Sequence, residues 1–214
     1  MNGIIAKKIG MTQIFREGGE AVPVTVFEAG SCVVIQVKTR ETDGYDAAQI
    51  GFVEKRTRSN KPKEGHFKKH NVSAPVRIVR EISYTEKPEP GQTVTVEIFK
   101  NIPIVDITGT VKGRGFTGVV KRWGLKGGPK THGSMFHRAP GSIGASSFPS
   151  RVWKGQKMGG RYGNESATIQ NLEVIDIDTE QNLLTVKGSV PGARGCYVFI
   201  QKAKKHRGDR SKKQ

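Results

Sequence analysis

Gly113-Arg114-Gly115-Phe116-Thr117-Gly118-Val119-Val120 spells GxGxxGxV, the pattern of a kinase glycine loop, and its first six positions match a dinucleotide-binding turn. In both, glycines let backbone N–H groups close on phosphate. Neither chemistry is completed in this chain. A kinase needs a VAIK-like lysine, an HRD segment and DFG, and none occurs. A dinucleotide site needs an acid about 20 residues onward, and no acid appears before Glu165. The run GLKGGPKT at 124–131 approximates a phosphate loop, but Pro129 stands before Lys130 where that motif needs glycine. His132 and His137 are five residues apart, with no Cys, Asp or Glu anywhere in 112–161. There is thus no third zinc ligand nearby and no carboxylate to orient a catalytic imidazole. Cys32 and Cys196 lie 164 residues apart without a CxxC pair. They spell neither a disulfide framework nor a thiolate site, and are expected to fill the core from strands. The expectation is a protein that is not an enzyme and holds no metal or cofactor, its glycine motifs being phosphate-cradling backbone at most.

The charge around these motifs is more informative. The chain has 214 residues, with 36 Lys plus Arg against 19 Asp plus Glu and a formal charge of +17. The excess is segregated. Residues 1–111 hold 16 basic and 13 acidic side chains and 162–201 hold 2 and 5, so these stretches cancel. Residues 112–161 hold 11 basic side chains and no acid, and 202–214 hold 7 basic and 1 acidic. A solvated surface mixes both signs, whereas a long single-sign tract repels itself until something neutralises it. The expected partner is a polyanion.

The near-neutral stretches read as the elements that would carry this tract. Residues 21–28 (AVPVTVFE) and 32–39 (CVVIQVKT) are valine-rich with partial period-two alternation, and read as one hairpin through Glu28-Ala29-Gly30-Ser31. Further strands are expected at 47–53, 76–82, 93–99, 102–107, 168–177, 183–187 and 195–201. Residues 63–70 (KEGHFKKH) carry no apolar stripe and are expected to form only a surface turn or two of helix. The fold class is mainly β with minimal helix, a closed β-barrel or sandwich body into which a long basic loop is inserted. The expected organisation is 1–111 as the first part of the body, with a small surface excursion at 55–75, then the insertion 112–161, the remaining strands 162–201 and a basic tail 202–214. No apolar run approaches the roughly 18 residues of a spanning helix, and no signal peptide is legible. A cytoplasmic protein without a membrane partner is expected.

The insertion has 12 glycines in 50 residues, far longer than the usual connection of about 4 to 6. Glycine and charge oppose collapse, which makes a disordered arm one reading. Phe116, Trp123, Met135, Phe136, Phe148, Trp153, Met158 and Tyr162 favour the other, in which the segment has something to pack or stack against. Doubled back as two arms of about 25 residues, it would reach up to roughly 80 Å, against a radius of gyration of about 17 Å for a compact chain of this length. Such a segment must satisfy its backbone from outside. Arg and Lys would reach phosphates, glycine would allow close backbone approach, and aromatics would stack on unpaired bases. No helix-turn-helix or zinc-finger pattern is present, so RNA is favoured over duplex DNA. Candidate contacts are Lys112, Arg114, Lys121, Arg122, Trp123, Lys126, Lys130, His132, His137, Arg138, Arg151, Trp153, Lys154, Lys157 and Arg161. Gly141, Ser142 and Gly144 of Pro140-Gly141-Ser142-Ile143-Gly144 would offer an anion-binding nest. His132, His137 and Arg138 either meet RNA or pack within the loop. Lys204, Lys205 and Arg207 of the tail either meet phosphate or belong to a solvated end.

The motifs also carry a resemblance. Lys8-Ile9-Gly10-Met11-Thr12-Gln13-Ile14-Phe15, His132-Gly133-Ser134 with His137-Arg138, the Pro140 to Gly144 run, Lys154-Gly155-Gln156-Lys157-Met158-Gly159-Gly160 and Val186-Lys187-Gly188-Ser189-Val190-Pro191-Gly192 resemble, in order, the bacterial large-ribosomal-subunit protein L-three family. The resemblance implies a translation-protein-like β-barrel and a structural constituent of the large subunit. It further implies primary binding of large-subunit rRNA near its 3′ end, early action in assembly, and contact with neighbours including large-subunit proteins fourteen and nineteen. The finger it implies is 112–161, with its inner end at 142–150 directed toward the peptidyl transferase centre. Some relatives carry a methylated glutamine where this chain has Ala145, so that modification is absent here. On the residues alone two other readings stand beside it: a protein-binding barrel with a disordered basic arm, and a nucleotide or nucleic-acid enzyme.

Overall fold

Runs rich in valine and isoleucine lie extended because branched side chains pack well on a pleated surface, and such runs supply most of the elements. The computed structural model describes residues 1–54, 60–72 and 76–204, and the chain is mainly β. In order the elements are β1 (Gly3–Phe15), β2 (Ala21–Glu28), β3 (Cys32–Lys38), α1 (Arg40–Asp43), β4 (Ala47–Val53), α2 (Lys61–Lys69), β5 (Val76–Ile82), β6 (Thr93–Val94), a 3-10 turn (Val96–Phe99), β7 (Ile104–Thr110), β8 (Phe116–Thr117), α3 (Val119–Trp123), β9 (Gly160–Arg161), β10 (Ser166–Asp178), β11 (Leu183–Lys187) and β12 (Tyr197–Lys202). They divide into two compact units, Met1–Thr110 with Ser166–Gln214, and Val111–Glu165.

In the first unit six strands pair in cyclic order, β1-β12-β7-β10-β11-β2, each hydrogen-bonded to two antiparallel neighbours. A second sheet has the order β5-β4-β3-β6. Ile4 and Ile5 of β1, Phe27 of β2, Ile107 of β7, Leu184 of β11 and Ile200 of β12 meet in one core with Val34 and Ile50 of the second sheet. Each such side chain contributes about 1.5 to 3 kcal/mol by leaving water. Strands from both sides of the insertion therefore share a core, and Thr110 pairs directly with Ser166. Asp106, buried in β7, is satisfied by backbone donors: Asn171 N–H at 2.8 Å and Lys204 N–H at 3.4 Å. Asn171 sits at φ 57° where the β10 register shifts between Ile169 and Leu172.

Several expectations are corrected. Residues 21–28 and 32–39 are not a hairpin: β2 pairs with β1 and β11, whereas β3 pairs with β4 and β6. Gly30 has no positive φ, so the connection is not the tight mirror-image turn that folds a strand back on itself; it crosses from one sheet to the other. Residues 93–99 form a two-residue strand followed by the 3-10 turn, which buries Val96 and Phe99. β1 was not foreseen as a strand, because its buried half ends in Lys7 and Lys8. Lys8 is nonetheless buried, its ammonium donating to Val190 O at 2.8 Å. The helix near 63–70 runs for nine residues because Phe67 anchors it among Ile35, Val72 and Val76. Cys32 is a core residue of β3, and burial pushes its thiol up to about 12. Cys196 instead precedes β12 and is half-buried.

Two carboxylates bind the first unit across its strands. Glu54 accepts from Tyr197 Oη at 2.7 Å and Lys7 Nζ at 3.0 Å, and these bonds, Tyr197's first, hold its pKa below the ordinary value. Glu81 takes Lys38 Nζ at 2.7 Å and Tyr45 Oη at 2.9 Å, which lower its pKa in the same way, Lys38 first. A depressed carboxylate contributes stability that is full above its unfolded pKa, about 4.3, and is lost as pH falls through the folded value. Both sites are partly exposed, so solvent screens the effect. Melting temperature is expected to fall more steeply below about pH 4 in the parent than in a Glu54→Gln, Glu81→Gln double variant. Parallel curves would show that these bonds carry no pH-linked stability.

Candidate nucleic-acid interface

The second unit opens as a narrow antiparallel ladder. Val111 N–H donates to Glu165 O at 2.9 Å, Asn164 N–H to Val111 O at 3.0 Å, Arg114 N–H to Tyr162 O at 2.9 Å and Tyr162 N–H to Gly115 O at 3.0 Å. β8 then pairs with β9. Gly163 is at φ 74° with its α-carbon against the Lys112 carbonyl, where any side chain would collide. The GxGxxGxV spelling lies in this ladder and at the start of α3, a five-residue helix that ends at Gly124 in the left-handed region. It forms no strand, loop and long helix around a nucleotide.

Above the ladder the return arm is fastened to α3. Trp123 Nε1 donates to Met158 O at 2.9 Å and Arg122 Nη1 to the same carbonyl at 3.0 Å, while the Arg122 guanidinium lies 4.9 Å from the indole. Further along, Gly127 and Gly128 pass against Phe136 and His137, and Gly128 N–H donates to His137 O at 2.9 Å. His137 Nδ1 lies 2.9 Å from Pro129 O. A carbonyl only accepts, so Nδ1 carries a proton toward it. His132 is exposed at φ 59°. Ser142 Oγ donates to Gly144 O at 3.0 Å and accepts from Gly144 N–H at 3.4 Å, with Gly141 at φ 82°.

Internal packing ends there. Val119 is the one buried apolar side chain of this unit among the described residues. Phe116 is 84% exposed, Met135 100%, Phe148 86% and Trp153 62%. Lys112, Arg114, Lys121, Lys126, Lys130, Arg138, Arg151, Lys154, Lys157 and Arg161 are exposed, and Arg122 is half-buried. Among the described residues none of these cations takes part in an ion pair. Arg114 also lies 5.3 Å over the Tyr162 ring. Lys204 is exposed, and Lys205 and Arg207 lie outside the described residues.

The structure thus brings Arg114, Arg122, Trp123 and His137 into side-chain contacts within the unit, closes Ser142 on Gly144, and leaves Lys112, Lys121, Lys126, Lys130, His132, Arg138, Arg151, Trp153, Lys154, Lys157 and Arg161 exposed. The sequence reading missed the Met158 carbonyl, the Gly127-Gly128 crossing and Gly163. The paired glycines were visible, but as an imperfect phosphate loop. No group of three or more His, Cys, Asp or Glu side chains able to hold a metal occurs among the described residues. No helix among them is long and apolar enough to cross a membrane.

These features define a class: a mainly β protein with an acid-free, glycine-rich cationic stretch at 112–161 and no assembled catalytic centre among its described residues. The chain belongs to the ribosomal protein L3 family, whose family model, described as Ribosomal protein L3, matches residues 49–183. It is 55% identical to large ribosomal subunit protein uL3 of Thermotoga petrophila, covering 95% of this chain and 98% of that one. Identity to the uL3 of Solibacter usitatus is 54%, covering 95% and 99%, and to that of Petrotoga mobilis 52%, covering 99% and 100%.

Proposed function

We propose that the acid-free stretch 112–161 is an RNA-binding finger by which the chain is anchored in large-subunit ribosomal RNA. As a member of its family the chain is a structural constituent of the large ribosomal subunit, in the cytoplasmic ribosome, and not an enzyme. The observation that carries the finger reading is the state of 112–161. Its 11 cations have no acid among them, ten are exposed, and the unit buries a single apolar side chain. A segment with so little core needs stabilisation from a partner, and unpaired cations beside exposed aromatics fit phosphates beside unstacked bases.

In this reading the six-strand ring is the closed, translation-protein-like barrel that carries the finger. The protein is a primary binder near the 3′ end of the large-subunit RNA and acts early in assembly. The finger's inner end, at 142–150, is directed toward the peptidyl transferase centre, and the protein's neighbours include proteins fourteen and nineteen of the large subunit. The tail, with Lys204, Lys205 and Arg207, is a second backbone contact. An RNA-protection footprint of the intact chain and of a form lacking 112–161 tests this. Protections deep in the RNA should vanish with the segment while those made by the body persist. An unchanged footprint would favour a body that binds alone, with the basic arm idle.

A further inference from the structure

We infer that α2 is a second, separate RNA-contacting face, whose outward lysines take the phosphate backbone of folded RNA; this rests on the RNA-binding reading above. The helix is poorly suited to form by itself. It has nine residues, Lys61-Pro62-Lys63-Glu64-Gly65-His66-Phe67-Lys68-Lys69, with proline, glycine and four lysines against one acid. Isolated helices under about 12 residues are marginal even with good formers, and glycine and like charges weaken this one further. Three anchors hold it nevertheless. Asn60 Oδ1 accepts from Lys63 N–H at 3.2 Å; His66 Nε2 and Gln49 Oε1 lie 2.8 Å apart; and Phe67 is buried with Ile35, Val72 and Val76. All the other side chains of α2 except the half-buried His66 are exposed.

α2 gathers four lysines outside the ion pairs of the described residues on one short helix, whereas Arg80, Lys87, Arg194, Lys202 and Lys204, also outside those pairs, come from separate segments of the unit. Lys7, Arg16, Lys38, Arg40, Arg77, Lys100 and Lys187 are each paired with a carboxylate. Lys61, Lys63, Lys68 and Lys69 are in none of these pairs, and among the described residues Glu64 makes none either. Lys61 and Lys68 are seven residues apart, hence on one face and about 10 Å apart along the axis, with Lys69 beside them. That row suits successive phosphates better than a single small anion. Protein interfaces are depleted in lysine at their centres and built on aromatics and Met. The exposed side chains of α2 include neither, so an RNA backbone fits this face and a protein partner does not.

The test uses the full chain with Lys61, Lys63, Lys68 and Lys69 all changed to Gln, and again all to Arg, binding deproteinised large-subunit rRNA between 50 and 200 mM salt with a hydroxyl-radical footprint. The Gln variant should show a log affinity against log salt slope shallower by about 3. It should lose a local patch of protections distinct from those lost on removing 112–161, and the Arg variant should restore both. A parent that binds without salt dependence would defeat the RNA reading as a whole. With normal parent binding, three outcomes each overturn the α2 inference alone: a Gln variant of unchanged slope and footprint, uniform weakening with no local loss, or intact RNA binding with a neighbouring ribosomal protein missing from assembled particles. Should the Gln variant melt early, Lys68→Glu with Lys69→Glu replaces it under the same readouts.

Discussion

Affinity of the full chain for large-subunit rRNA falls by about 10³ to 10⁵ between 50 and 200 mM salt if 6 to 10 phosphates are neutralised. The expectation follows from the ten exposed cations of 112–161 that no carboxylate of the described residues pairs. Each that meets a phosphate releases condensed counterions, and the entropy of that release shrinks as bulk salt rises. Cations already paired within the protein, such as Lys7, Arg16, Lys38 and Arg40 of the body, would release fewer and contribute less. Replacing Arg151, Lys154 and Lys157 together by Gln should make the slope shallower by about 2 to 3 and weaken binding to many RNAs alike. Filter binding across the salt series measures it. A flat parent would mean that the cations stay solvated in the complex, and equal slopes for parent and variant would mean that these three never touch phosphate.

How much was legible follows from what each residue type encodes. The strands at 47–53, 76–82 and 183–187 were readable because β-branched side chains state their own preference for an extended chain. Which strand pairs with which was not, since β2 and β3 carry the same valine pattern and the pattern names no partner. Residues 29–31 read alike whether the chain turns back or crosses to another sheet, and only the missing positive φ at Gly30 distinguishes them. β1 was obscured by Lys7 and Lys8, whose burial depends on Glu54, 47 residues away, and on Val190, 182 residues away. At the interface the acid-free tract was plain from composition, because charge segregation needs no coordinates. The contacts that shape it end on backbone carbonyls, at Met158, Pro129 and His137, and a carbonyl has no letter in the sequence. Trp123 therefore looked free to stack on a base when its indole N–H is already committed.

Gly128→Ala should open the second unit at its crossing while leaving the first unit folded. A β-carbon at Gly128 would collide with the carbonyl oxygen of Phe136 and with its ring. The obstacle includes backbone, which cannot rotate aside as a side-chain end can, so the two arms must separate. Separation breaks the bond from residue 128 N–H to His137 O and strains that from His137 Nδ1 to Pro129 O. Overpacking costs about 1 to 3 kcal/mol and each lost hydrogen bond about 0.5 to 1.5, roughly 2 to 5 kcal/mol together. Val119 is the one buried apolar side chain in this unit, so no hydrophobic core resists the opening. Hydrogen exchange at the residue 128 amide should accelerate by about 30-fold to several thousand-fold, and the unit's innermost RNA protections should be lost with it. Gly124→Ala is the contrast: its φ is 71° but no atom lies within 4 Å of an added β-carbon. It should cost only the left-handed backbone, about 1 to 2 kcal/mol, with the crossing amide still protected. Equal protection of residue 128 in the parent and the Gly128→Ala variant would show that the close approach of the arms is not what holds the unit together.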